Sequence, residues 1–152
     1  MFVHLIAATG LSGQIGLNGE IPWHNDPAFD AITRKDVAQF TRMTAGGVLV
    51  MGSITAKMLP ANFREGDRAV LAWSRASFSS PRELLAYAQA VHRGRDVWIC
   101  GGQKVYELFM PFVDWFHVSV LPYDGPADRF LPPILPSWSR NRSQHADERI
   151  QS

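Results

Sequence analysis

Asp96-Val97-Trp98-Ile99-Cys100-Gly101-Gly102-Gln103-Lys104-Val105-Tyr106 is the stretch on which the reading of the fold turns. Asp96–Cys100 is a short apolar run that stops at glycine, as a buried strand does. Gly101-Gly102 makes a sharp turn, and Gln103–Met110 then carries helical spacing. The same succession recurs along the chain. Val48-Leu49-Val50-Met51 ends at Gly52 and leads into a short helix over Gly52–Leu59. Ala69–Trp73 is a further strand. After it, Ser80, Pro81 and Glu83 occupy the N-cap, N1 and N3 positions of a helix running to about His92. Phe2–Thr9 and Phe116–Leu121 read as the first and fifth strands, and Asp30–Thr44 as a helix that Gly46-Gly47 ends. Strands alternating with helices predict an α/β fold, with a mostly parallel central sheet flanked by helices on both faces.

The connections carry information too. Gly10–Asn25 holds four glycines and a proline, a long loop of the kind often kept for function. The prolines of Phe130–Pro136 exclude a regular helix or a central strand there. Residues 137–152 are a polar tail. The whole chain, 1–152, reads as a single domain, since 152 residues suffice for one sizeable core.

Composition narrows the function. Fifteen basic against fourteen acidic residues leave a formal charge of +1, so no general field draws the chain to nucleic acid or an anionic membrane. Any anionic ligand must be held by local groups. Cys100 is the one cysteine, so there is no internal disulfide, and the five histidines show no zinc spacing; no metal is expected. A reducing cytoplasm is the simplest compartment. The apolar opening Met1–Ala8 lacks a basic flank and fits a buried strand better than a signal peptide.

Ligands in folds of this kind lie beyond the carboxyl ends of the strands. Gly101-Gly102 lets a backbone approach a ligand closely and opens a helix whose N-terminus suits phosphate, or it is simply a tight turn. Gly52-Ser53-Ile54-Thr55 repeats the arrangement, with Thr55 as a phosphate donor or as a cap of its own helix. Ser74-Arg75 follow another strand and could grip a further phosphate. Three such sites on three strands point to a dinucleotide, although the GxGxxG fingerprint is missing. Pro22 stiffens the end of the first loop, and Trp23 either lines a pocket or anchors that loop. Arg68 has the fork that suits a carboxylate; a solvated arginine is the alternative.

Asp36 stands out among the charged residues. Helical spacing puts it on one face with Phe40 and Met43, residues that want burial. A carboxylate beside them sits half-buried or at a cleft edge, and desolvation tends to raise its pKa into the range useful for proton transfer.

Taken in order, Leu5-Ile6-Ala7-Ala8, Ile15-Gly16, Ile21-Pro22-Trp23, Asp36-Val37-x-x-Phe40-x-x-x-Thr44, Met51-Gly52-x-x-Thr55, Arg68, Ser74-Arg75, Gly101-Gly102-x-x-Val105-Tyr106 and Asp128 resemble the dihydrofolate reductase family from Phe2 to about Pro132. The resemblance implies NADPH-dependent reduction of 7,8-dihydrofolate to tetrahydrofolate. It implies that Asp36 binds the pterin and supports protonation at N5, with Ser119 as its hydroxyl partner. Ile21 would belong to the loop that closes over the nicotinamide, and Trp23 would take the place of a water-linked tryptophan. Ala8, Val37, Phe40, Leu59, Cys100 and Tyr106 would line the substrate pocket, and Arg68 would clamp the substrate's α-carboxylate. Ala7, Ile15, Gly16, Gly52, Ser53, Thr55, Gly101, Gly102, Gln103, Lys104 and Val105 would cradle the cofactor, with Ser74 and Arg75 at its 2′-phosphate.

The chain also departs from the family pattern. His24–Lys35 is longer than usual between Trp23 and Asp36, and it contains two rival acids, Asp26 and Asp30. Asp36 is preferred because the matching Phe40 and Thr44 follow it. Ser53 stands where an arginine is common, Cys100 where an aliphatic residue is, and Ala127 where a glycine is. The closing antiparallel strand is not recognisable after Ser137, so association through an exposed sheet edge is the alternative to a monomer. Two other functions stay open: a reductase of the same fold acting on a pyrimidine of riboflavin synthesis, and a non-catalytic folate- or nucleotide-binding module.

Overall fold

The computed structural model describes residues 1–59 and 67–134. Five strands form the main sheet: β1 (Val3–Thr9), β3 (Val48–Gly52), β4 (Ala69–Trp73), β5 (Val97–Ile99) and β6 (Trp115–Val120). Their order is β4-β3-β5-β1-β6, and every pair is parallel. Parallel strands buried on both faces need continuous apolar runs. Val48, Leu49, Val50 and Met51 are such a run, and all four are buried.

The helices α1 (Asp30–Met43), α2 (Ser53–Met58), α3 (Pro81–Val91) and α4 (Gln103–Phe109) cover the two faces. Leu84 and Ala88 of α3 and Val105 and Phe109 of α4 pack with Leu5, Val50, Ile99 and Phe116 in the larger core. On the opposite face Leu49, Met51 and Ala56 pack with Phe40, Leu59, Val70 and Cys100. α3 begins as expected: the Ser80 side chain accepts from Glu83 N–H, and Pro81 takes the first turn. The Glu83 carboxylate bonds Ser79, not the Ser80 backbone, so the capping box is shifted by one residue.

The topology marks where a ligand belongs. From β1 the chain crosses toward β3, on one side of β1, whereas from β5 it crosses toward β6, on the other side. The adjacent pair β1 and β5 is therefore the switch point, and a crevice opens beyond their carboxyl ends at Ala7–Thr9 and Cys100–Gly101.

The long first loop corrects one expectation. Gly10–Asn25 is not wholly irregular, because Gln14–Gly16 forms the short strand β2. It pairs antiparallel with β7 (Arg129–Phe130), making a two-stranded ribbon apart from the main sheet. An edge strand of two residues is compatible with the prolines that follow. Any closing strand after Ser137 lies outside the described residues. Among those residues no helix is long and apolar enough to cross a membrane, and no cluster of His, Cys, Asp or Glu could hold a metal ion.

Candidate active site

α1 delivers its middle turn to the switch point. No residue of this helix is fully buried; Phe40 and Met43 are half-buried, so the burial expected of them is only partial. One side of α1, with Ile32, Asp36 and Gln39, lines a cleft with Ser119 and Leu121 and so stays uncovered. Asp36 is half-buried, and the buried Ser119 donates its hydroxyl hydrogen to Asp36 Oδ1 at 2.7 Å. Ser119 sits on β6 opposite Ala8 of β1, so the acid lies beside the crevice floor.

The two rival acids do other things. Asp26 is exposed and caps a short 3-10 turn at Pro27–Phe29, accepting from Ala28 N–H at 3.0 Å. Asp30 is exposed in the first turn of α1, where its charge suits the helix dipole. Six residues, about one and two-thirds turns, separate Asp30 from Asp36, so helical phase picks out the acid that faces Ser119.

Trp23 is buried, 3% exposed, against Phe29 and Tyr123, with ring centroids 6.3 and 5.5 Å away. This trio anchors the end of the first loop. Ile21, two residues earlier, is exposed. Val37 is exposed on α1, as Ile54 and Met58 are on α2, and Leu59 is half-buried. Apolar groups left uncovered beside a crevice are available to an apolar ligand.

Arg68 is fixed at the far end of α1. Its guanidinium donates to the carbonyl of Thr41 at 2.5 Å and its Nε to Thr44 Oγ at 3.3 Å. Thr44 is fully buried and donates its own hydroxyl hydrogen to Phe40 O. The arginine is thus built into the helix C-terminus, a role for Thr44 that only the fold reveals.

The glycine pair closes the other side. Gly101 has φ +106, and its carbonyl accepts from Gly52 N–H at 2.9 Å, tying the ends of β5 and β3 together. A Cβ there would meet the Tyr106 ring at 3.1 Å, whereas one at Gly102 would meet nothing within 4 Å. The Gly101–Gly102 peptide is cis. Tyr106 is buried and donates its hydroxyl to Ile6 O at 2.8 Å; burial first, then the nearby Cys100 and Asp36, push its phenol well above the usual range. Burial likewise pushes the Cys100 thiol up, with its sulfur 3.3 Å from Trp98 O, although part of the residue reaches solvent.

Ala7 is buried and Ala8 half-buried at the end of β1. Ile15 and Gly16 fall in or beside β2. Ser53, Thr55 and Lys104 are on the first turns of α2 and α4, with Ser53 and Lys104 exposed. Ser74 accepts from Ser77 N–H through its hydroxyl in the turn after β4, and Arg75 is exposed beside it. Gln103 opens α4, where its side-chain oxygen accepts from Phe130 N–H at 2.8 Å and its amide donates to Glu107 at 3.1 Å.

The family model described as dihydrofolate reductase matches residues 2–151. The chain belongs to the dihydrofolate reductase family. It is 34% identical over 131 residues to a dihydromethanopterin reductase of Methylorubrum extorquens, which covers 86% of this chain and 90% of that protein. It is 31% identical over 142 residues to a dihydrofolate reductase of Mycobacterium tuberculosis, covering 90% and 83%. A dihydrofolate reductase of Haemophilus influenzae is 27% identical over 139 residues, covering 88% and 81%. The chain is therefore an oxidoreductase of this family.

Proposed function

We propose that this dihydrofolate reductase family member reduces 7,8-dihydrofolate to 5,6,7,8-tetrahydrofolate with NADPH. The observation that carries the reading is the 2.7 Å bond from Ser119 to Asp36 beside the switch point of the sheet. Among the described residues that line the cleft beside Ser119, Asp36 is the one acid. It would hold the amino-pyrimidine edge of the pterin and favour the proton that N5 must gain. Ser119 orients that carboxylate. Arg68, held by Thr41 and Thr44, would meet the α-carboxylate.

The cofactor reading has support in this chain's backbone. Gly102 opens onto empty space, and Gly52 and Gly101 bring two strand ends together. The cradle would be Gly52, Ser53, Thr55, Gly101, Gly102 and Val105, with Ser74 and Arg75 for the 2′-phosphate. NADPH supplies the hydride; the chain supplies alignment and exclusion of water. Ile21 and the rest of Gly10–Asn25 would form the lid that excludes it. The domain is proposed to be single and the chain to act as a monomer in the cytoplasm.

A direct assay tests this: purified protein with dihydrofolate should consume NADPH, read as loss of its near-ultraviolet absorbance. No turnover sinks the proposal. The similarity to a dihydromethanopterin reductase favours a second reading, with dihydromethanopterin as substrate. The kcat/KM for the two pterins, measured side by side, decides between them. Arg68→Gln should raise KM for dihydrofolate about tenfold or more with kcat little changed, as loss of a charge-assisted pair does.

A further inference from the structure

The cofactor cradle and the first loop are joined by one side chain. Phe130 N–H points at Gln103 Oε1, 2.8 Å away, and so away from β2, while on either side of it Leu131 N–H donates to Gly13 O and Asp128 N–H to Gly16 O, each at 2.9 Å. Gln103, immediately after Gly101-Gly102, accepts that outward N–H through Oε1. Its Nε2 donates to Glu107 one turn along α4. The assignment of the amide is forced: only oxygen can accept from a backbone N–H, and only nitrogen can donate to a carboxylate. Both ends of the Gln103 amide are therefore engaged within the protein.

The ribbon it grips holds the loop at several points. Asn18 N–H donates to Asp128 Oδ2 at 3.1 Å, and Ser12 and Gln14 donate to Asp124 Oδ1 at 3.0 and 3.3 Å. Asp124, Asp128 and Phe130 belong to one segment, so a displacement of β7 moves Ser12–Asn18 with it. From there Ile21 is three residues on.

We infer that Gln103 is a positioning residue that couples the cofactor cradle to the loop bearing Ile21, through Phe130 N–H and the β2–β7 ribbon. The inference rests on the reading of Gly101–Val105 as the NADPH cradle. Ligand seated on the Gly102–Gln103 backbone fixes the start of α4, which fixes Gln103 Oε1, which fixes β7 and hence the loop.

Two variants break the link from opposite ends. Gln103→Met keeps the side-chain length and removes the acceptor. Phe130→Pro removes the donor without losing a ladder bond, since that N–H lies outside the β2–β7 pairing and the Phe130 side chain is exposed. Amide hydrogen exchange of the full chain, with and without NADPH, is read over Gly13–Ile21, beside a titration of NADPH affinity. In the natural sequence NADPH should slow exchange over that loop. In each variant the slowing should shrink about fivefold, the size of one net hydrogen bond. The double variant should lose no more than the more affected single one, because both remove the same contact. Slowing equal to that of the natural sequence in Phe130→Pro, or losses that add in the double variant, overturns the coupling while leaving NADPH binding intact. A natural sequence that binds no NADPH overturns the cradle reading and the coupling together.

Discussion

The two faces of the sheet are built to different standards. Under α3 and α4 the packing is dense and apolar: Leu5, Leu84, Ile99, Phe109 and Phe116 are wholly buried. The opposite face of the sheet carries His4, His117 and Ser119, the last bonded to α1, and α1 itself has no fully buried residue. His4 lies 3.0 Å from His117 and 2.9 Å from Asp96, and stacks on Trp98 at 4.0 Å. One face therefore carries most of the hydrophobic stabilisation, and the other keeps polar groups in defined geometry, with Ser119 at the cleft and the His4–Asp96 pair toward the amino ends of the strands. An acid such as Asp36 can work only where packing leaves it a route to a ligand.

The sharpest way to break this contrast is Asp36→Asn. It should lower turnover about 10²–10⁴-fold while NADPH affinity and thermal melting stay nearly unchanged. A variant that keeps most of its turnover would mean that the polar face is not where protons are handled. Phe109→Ala is the converse test. Urea unfolding should show a loss of about 3–5 kcal/mol, against about 1 kcal/mol for the half-buried Met43→Ala on α1. Equal losses would contradict the unequal packing.

Ser119→Ala is a smaller change, expected to cost about tenfold in kcat/KM, since Asp36 loses its orienting donor but keeps its charge. The smallest effect concerns Asp96 on the polar face. Burial alone would raise its carboxyl, but the bonds to His4 and Phe2 N–H outweigh it and hold the group below its usual range. The folded chain thus binds this proton less tightly than the unfolded one. Its stabilisation is complete above about pH 4 and fades as the pH falls further. Asp96→Asn should flatten that acid slope by less than about 1 kcal/mol in urea melts taken across the range.

The regular parts of the fold were legible because local signals and tertiary packing agree there. Ala69–Trp73 and the Ser80-capped α3 lie where propensity and capping put them. The β2–β7 ribbon was not legible, since its strands have three and two residues and find each other across more than a hundred positions. Asp36 was singled out by helical phase and preferred to Asp26 and Asp30 because Phe40 and Thr44 follow it; what the rivals do instead, one capping a turn and the other opening the helix, only the fold shows. Gln103 shows the limit most clearly. Its place after two glycines suggested the cofactor, but side-chain direction depends on Phe130, a residue no local pattern connects to it.

The place of β1 between β5 and β6 has a consequence for how the chain is made. Its partners are β5 and β6, so Val3–Thr9 pairs with Val97–Ile99 and Trp115–Val120. During synthesis β1 leaves the ribosome well before either partner exists. It stays an unpaired apolar strand until nearly the whole described domain has been translated. Closing such long loops late makes folding slow. It also makes the nascent chain, more than the finished protein, the form most exposed to aggregation and most in need of chaperones.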